Sequence, residues 1–372
     1  MYVHWPFCQA KCPYCDFNSH VAPQVDTTRW LRAYRAEIAR MHAEIGAGRV
    51  ATVFFGGGTP SMMDPALVAG IIDAIRRAWP LTNDAEITLE ANPSSVEIAR
   101  FRGYRDAGVT RISIGLQALR DADLKALGRL HSVAEGVRAV EVAQAVFDRV
   151  SVDLIYARQN QGLADWRAEL GEAIALGTDH LSLYQLTIED GTAFAARHRA
   201  GRLRGLPEED LAADLFEVTQ DTTDAAGLPA YEVSNHARTG AESRHNLVYW
   251  RGGVFLGIGP GAHGRLWDGT SWWATEAIAA PGGWLAAVET DGHGERPREM
   301  LSPADRAVEY ILMGLRLSEG ITLTRVPDGT IDTERCNDLI SDGFLWRDGT
   351  KLGATARGRP VLNTVLGALL AA

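Results

Sequence analysis

Only four cysteines occur in the 372 residues, too few for a disulfide framework. Three of them fall within eight positions, and no second Cys or His pair follows at zinc-finger spacing. Positive charge is also short: 37 Lys and Arg face 47 Asp and Glu, leaving a net of −10. That balance argues against a nucleic-acid surface and against a polybasic membrane patch. Long apolar runs are missing, so no stretch reads as a transmembrane helix. The cysteine cluster begins at residue 8, so no secretory leader is expected and a reducing, cytoplasmic setting is. Apolar residues are plentiful, at 46%, and can build a sizeable core. The length suits two or three domains, or one large α/β domain with an appendage.

Cys8, Cys12 and Cys15 are spaced C-x3-C-x2-C after the run Tyr2-Val3-His4-Trp5-Pro6-Phe7. Soft ligands this close serve one metal centre. A structural zinc would need a fourth ligand, for which His4 or His20 is at hand, and three buried thiols would need no metal at all. Three thiolates suit a cubane iron–sulfur cluster with one iron open to an exogenous ligand. The spacing resembles the signature of the radical S-adenosylmethionine (SAM) superfamily, in which SAM chelates that iron.

Strand and helix patterns alternate down to about residue 226. Strands are predicted at 1–5, 50–55, 86–91, 110–114, 150–156 and 180–186. A first helix is predicted with Thr27 or Thr28 as cap, its apolar spacing running from Leu31 to Ile45 until Gly46, and further helices at 65–79, 95–106, 121–127 with 133–147, 163–176 and 207–226. A last short strand is expected at 231–233. Strict alternation implies a parallel sheet with right-handed crossovers. Six βα units fall short of the eight that close a full barrel, so the expected fold is α/β, an open partial (β/α)6 barrel. Beyond it, helices at 302–317 and 333–340, a hairpin through Asp348-Gly349 and a final helix at 360–370 give an α+β, winged-helix-like module. From 303 to 372 there are nine acidic and eight basic side chains, which offer phosphate no footprint. The module is expected to pack or to dock a partner, with Cys336 a buried thiol. The predicted parts are thus 1–235, a linking region at 236–300, and 301–372.

In such a barrel, functional groups sit at the C-terminal ends of the strands. Gly56-Gly57-Gly58 follows the second strand, Glu90 ends the third, Gln117 follows the fourth and Asp153 lies in the fifth. Plainer readings exist for each: a tight turn for the glycines, a solvent-facing strand end for Glu90, solvated side chains for Arg129 and His131. Asp153 is harder to explain so, because an unpaired carboxylate in a buried strand is costly.

Residues 2–8, 56–61, 88–93, 111–117 and 152–156 resemble the oxygen-independent coproporphyrinogen III oxidase family of radical SAM proteins, and the similarity runs over nearly the whole chain. The resemblance implies that Cys8, Cys12 and Cys15 hold a 4Fe–4S cluster. It implies that Gly57, Gly58 and Thr59 contact SAM, with Glu90, Gln117, Arg129 and Asp153 completing its ribose and methionine contacts and Tyr2 beside it. Two features set the chain apart. The oxidases continue their motif with a fourth cysteine where this chain has Phe17. His245-Asn246-Leu247-Val248-Tyr249-Trp250 matches the H-N-x-x-Y-W motif of the heme chaperone family HemW, as does the form Cys15-Asp16-Phe17-Asn18-Ser19.

That second resemblance implies a protein that binds heme, with His245 as ligand, and delivers it to apo-hemoproteins while carrying the cluster and SAM. Imidazole is an ordinary heme ligand and aromatic rings pack on porphyrin faces. The plainer reading of His245 is a loop histidine hydrogen-bonded among Tyr231, Trp267, Trp272 and Trp273; His263, in a glycine-rich turn, is a weaker second candidate. The sequence assigns no catalytic residue, leaves a homodimer and a transient visit to the membrane open, and gives no reason for nucleic acid. The alternatives are an oxidase that decarboxylates porphyrinogen propionates to vinyl groups, and a zinc-stabilised scaffold. One departure from the family is local: Asp153-Leu154-Ile155-Tyr156 runs on as Ala157-Arg158-Gln159 in place of Gly-Leu-Pro, so the loop above that strand is expected to differ in shape.

Overall fold

The computed structural model describes residues 1–22, 24–95 and 98–370. Six strands run parallel in chain order: β1 (Tyr2–Trp5), β2 (Val50–Gly57), β3 (Leu81–Ala91), β4 (Arg111–Gln117), β5 (Arg149–Tyr156) and β6 (His180–Gln185). At one edge β7 (Asn235–Ala237) pairs antiparallel with β6, and at the other β8 (Gly257–Ile258) pairs parallel with β1. The crossovers are α1 (Thr27–Ile45), α2 (Pro65–Ala78), α3 (Ile98–Ala107), α4 (Asp121–Ala126) with α5 (Val133–Gln144), and α6 (Leu163–Ala175); α7 (Ala193–Arg199) and α8 (Glu209–Ala225) follow β6. This is the open six-unit barrel that the alternation predicts.

The outward faces explain why it folds. Val3, Val53, Phe55, Ile112, Ile114, Val152, Leu154, Leu181 and Leu183 are buried under the helices in one continuous core. Each full burial of such a side chain is worth roughly 1.5–3 kcal/mol.

Three expectations need correction. The last strand lies at Asn235–Ala237, since the Glu232 side chain accepts from the Ser234 amide and the Asn235 amide side chain and so turns residues 231–234 out of the sheet. The cap of α1 is Asp26, whose carboxylate accepts from the Arg29 amide. A helix, α7, follows β6 where the periodicity predicts none. The predicted start of the third helix and the end of the cysteine loop include residues 96–97 and 23, which lie outside the described residues.

The stretch 236–300 supplies most of β7, then α9 (Arg244–Trp250) and β8, so it borders both edges of the sheet. It continues as an antiparallel sheet of β9 (His263–Trp267), β10 (Trp272–Glu276) and β11 (Glu299–Leu301), with α10 (Pro281–Asp291) between the last two. Trp284 of α10 stacks on Trp30 of α1 at 5.2 Å. A second core follows, built from α11 (Pro303–Gly314), β12 (Ile321–Thr322), α12 (Thr333–Ser341), the hairpin β13 (Leu345–Asp348) and β14 (Lys351–Ala354), and α13 (Leu362–Leu370). Cys336 is buried in it. Among the described residues no helix is long and apolar enough to cross a membrane.

Candidate functional site

A parallel sheet covered on both faces reads as continuous apolar strands. Here the strands alternate instead: Arg111-Ile-Ser113-Ile-Gly115 in β4 and His180-Leu-Ser182-Leu-Tyr184 in β6. The polar set faces inward. It joins Tyr2, Phe54, Glu90 and Asp153 around a lumen cavity of about 210 Å³, closed on one side by His245, Asn246 and Tyr249 of α9. A second cavity of about 300 Å³ adjoins it, sharing Tyr184, Asn246 and Tyr249 and adding Trp250 and Arg316.

The three clustered cysteines lie at the C-terminal rim of the strands, and none is in a disulfide. Cys8 is buried, while Cys12 and Cys15 are half-buried, so they are not a trio of inert core thiols. Thr59 donates its hydroxyl to Cys8 Sγ at 3.4 Å, and Arg129 Nη1 donates to Cys12 Sγ at 3.6 Å. Donors aimed at sulfur favour the thiolate, the form that ligates iron. Burial pushes the Cys8 and Cys15 thiols up, which leaves metal binding to stabilise their anions. His4 does not complete a zinc site: its Nδ1 meets the Tyr2 hydroxyl at 3.0 Å and its Nε2 the Asn18 carbonyl at 2.9 Å. Phe17, where the oxidases carry a further cysteine, is 58% exposed.

The triple glycine has a packing reason that needs no ligand. Gly57 has φ of 111°, and a Cβ there would stand 2.5 Å from the His4 ring. At Gly58 a Cβ would stand 2.7 Å from the Phe7 carbonyl oxygen. The glycines therefore let β2 run directly against the cysteine loop, which sets Thr59 beside Cys8.

Beside this rim, Glu90 accepts from the Gly57 amide at 3.2 Å, and Asp153 accepts from the Ser113 hydroxyl at 3.0 Å. Burial, then the neighbouring Asp153 charge, pushes the Glu90 carboxyl up to about 8, against the pull of the Gly57 amide. Burial likewise raises Asp153, opposed by Ser182, Ser113 and the Arg111 charge. Such a carboxyl pair offers acceptors, and on Glu90 a proton, to vicinal hydroxyls like those of a ribose. Gln117 sits on an irregularity of β4 with φ of 70°, and Arg129 Nη2 donates to the Gly115 carbonyl at 2.9 Å. Among the described residues, non-glycine residues in left-handed backbone occur at Gln117, the last residue of β4, and at Ala157 and Asn160, just past the end of β5. Strain of that kind is held where geometry is fixed for a ligand.

His245 is 1% exposed and fully engaged. Its Nδ1 lies 2.8 Å from the Thr52 hydroxyl and its Nε2 2.7 Å from the Tyr249 hydroxyl, with Phe54 stacked on the ring at 5.1 Å. Burial pushes its proton affinity down, so the ring is neutral and one nitrogen carries a lone pair. Trp267, Trp272 and Trp273 belong to the β9–β10 ladder instead of its surroundings, and His263 is exposed at the start of β9. The aromatic neighbours of His245 are Phe54 and Tyr249.

Comparison with known proteins fits this arrangement. Residues 2–169 match the Radical SAM superfamily and residues 301–361 the HemN C-terminal domain. The heme chaperone HemW of Mycobacterium tuberculosis is 38% identical, over 100% of this chain and 94% of that one. The chain belongs to the HemW family of radical SAM proteins. The mitochondrial radical S-adenosyl methionine domain-containing protein 1 of Bos taurus is likewise 38% identical, over 100% of this chain and 87% of that one. The solved structure of Escherichia coli coproporphyrinogen III oxidase HemN superposes with a TM-score of 0.83, over 99% of this chain and 88% of that one; at 20% identity this establishes the fold alone. Membership in this family implies a 4Fe–4S cluster and SAM.

The structure gathers the candidates into two neighbouring groups. Cys12, Thr59 and Arg129 line one cleft at the rim, whereas Tyr2, Glu90, Asp153 and His245 line the lumen below. The sequence reading missed the rest of the lumen wall: Arg111, Ser113, His180, Ser182 and Tyr184. The period-two alternation in strands of a parallel sheet was the available signal.

Proposed function

We propose that the chain binds heme in the barrel lumen and passes it to apo-hemoproteins of the cytoplasm. The observation that carries this reading is the placement of α9: the HNxxYW segment walls the lumen with His245 and Tyr249 and reaches the adjoining cavity with Trp250. Cys8, Cys12 and Cys15 would hold the cluster, and Gly57, Gly58, Thr59, Glu90, Gln117, Arg129 and Asp153 would hold SAM with Tyr2 beside it. When bound, these groups supply one-electron chemistry. The chain's own residues orient and enclose: Arg129 and Thr59 hold sulfur anions by hydrogen bonds, Glu90 and Asp153 receive hydroxyls, and Tyr249 masks the His245 Nε2 until a ligand displaces it.

In the tautomer with the proton on Nδ1, His245 donates to Thr52 and accepts from the Tyr249 O–H. Heme ligation by Nε2 then requires Tyr249 to let go, which costs about one hydrogen bond, roughly 1 kcal/mol. A weakly opposed latch suits a protein that must also release its cargo. The oxidase reading is the weaker, because Phe17 stands exposed in the place of the fourth cysteine.

Transfer tests the reading. Cluster-loaded protein carrying heme is mixed with an excess of an apo-globin, and heme movement is followed by its Soret band. Transfer that outpaces free heme equilibrating between the two supports the chaperone. Retention of heme by the chain, with no transfer, contradicts it.

A further inference from the structure

Among the described residues, one buried lumen charge has no hydrogen-bonded or ion-paired partner, although Asp153 lies close enough to feel it. Arg111 opens β4 and is 2% exposed, yet among the described residues its guanidinium makes no hydrogen bond and no ion pair, and its Nε is buried without a partner. Arg158, Arg149 and Arg129, also buried or half-buried, each have at least one partner for the guanidinium: Glu169 and Asp123, Asp179, and the Gly115 carbonyl. The lumen histidines are also satisfied, His180 by Ser151 and Tyr231 and His245 by Thr52 and Tyr249. Asp153 takes its hydrogen bond from Ser113, not from Arg111. A buried guanidinium with no hydrogen-bonded anion is costly, and this one faces the 210 Å³ cavity.

The surroundings select the anion. The anion shares its cavity with two acidic side chains, Glu90 and Asp153, so a singly charged planar carboxylate, which matches the arginine fork, fits better than a phosphate dianion. Tyr184, Tyr249 and Trp250 line the adjoining 300 Å³ cavity beside polar residues that include Glu232 and Arg316, and Tyr184, which lines both cavities, keeps 45% of its surface exposed. Space for a flat apolar body thus opens beside space for a carboxylate arm. Six residue steps along β4, roughly 20 Å of strand, run from Arg111 to Gln117 at the rim, so this anchor lies deeper in the lumen than the rim, in the cavity that Glu90 and Asp153 also line.

We propose that Arg111 anchors a carboxylate arm of the lumen ligand, whose flat body lies between Tyr184, Tyr249 and Trp250. The ligand class rests on the heme reading: a tetrapyrrole carries such an arm as a propionate.

The test titrates heme and heme dimethyl ester, which lacks free carboxylates, into the cluster-loaded full chain and its Arg111→Met and Arg111→Lys variants. The native chain prefers heme over the ester by roughly tenfold or more, as expected of a charged hydrogen bond. Arg111→Met loses most of that preference and Arg111→Lys keeps part of it. Without ligand, the Tm of Arg111→Met is unchanged or higher, because an unanswered charge has been removed. Equal binding of heme and ester by the native chain overturns the proposal, as does a preference that survives in Arg111→Met. A marked fall in Tm overturns it too, by showing that Arg111 has an internal partner. Loss of SAM binding in Arg111→Met would assign the anion to SAM and overturn the tetrapyrrole. If heme binds none of the three proteins, the heme reading fails and sodium propionate decides the anchor: a Tm rise in the native chain alone supports it, and equal rises overturn it.

Discussion

His245 cannot take an axial position on iron while Tyr249 holds its Nε2. Tyr249→Phe removes that hydroxyl and keeps the ring, so heme affinity is expected to rise about fivefold, the equivalent of one net hydrogen bond. Equilibrium heme titration checks it, and a loss of affinity in Tyr249→Phe would argue that the phenol itself meets the ligand. Glu90 makes stability depend on pH in a defined direction. Its carboxyl stands at about 8 in the folded chain against an ordinary value of 4.5. Below the ordinary value both folded and unfolded chains hold the proton. Between the two values the unfolded chain ionises while the folded one does not, so stability falls as pH rises through that window and then levels off. Glu90→Gln is expected to flatten this fall, with a residual slope from Asp153, which is raised in the same direction. Thermal melts of the cluster-free protein across that window read the slope directly; an unchanged slope would mean that Glu90 is ionised when folded.

The loop above β5 departs from the family's sequence, and its contacts account for the change. Ala157 occupies the left-handed region with φ of 57° where the family has glycine. Arg158 is buried and paired with Glu169 and Asp123, while Glu169 also accepts from the Leu119 amide at 2.6 Å. An ion pair and a backbone hydrogen bond therefore hold this loop. Ala157→Gly is expected to raise stability by about 1 kcal/mol, since the strained alanine gains a residue suited to that backbone. Glu169→Ala is expected to lower it by about 3 kcal/mol, because Arg158 is left buried without its closest anion. Denaturant unfolding measures both; opposite signs would mean that the loop is held by other contacts.

At the scale of the whole molecule, the six barrel units were legible because each outward strand face and each crossover helix carries its apolar pattern in local sequence. The cysteine spacing and the rim residues were legible for the same reason, as motifs of a few consecutive positions. The edges were not: β8 is two residues, Gly257 and Ile258, and exists only because β1 is there to pair with it. Gly257 reads as a turn, yet its missing side chain is what admits the His263 carbonyl, which would stand 2.2 Å from a Cβ. Nor was the lumen legible, since the partners that satisfy His180 and His245, and the lack of one for Arg111, arise only when strands distant in sequence close around a common space.

The central claim is that His245 in the lumen wall binds heme. Anaerobic titration of heme into the cluster-loaded chain, beside His245→Ala, tests it most directly by visible absorption. Saturable binding by the native chain, weakened at least tenfold in the variant, is the predicted result for loss of an axial ligand, roughly 1.4 kcal/mol or more. Equal affinity in the two proteins would contradict the account, and would move heme, if it binds at all, away from α9.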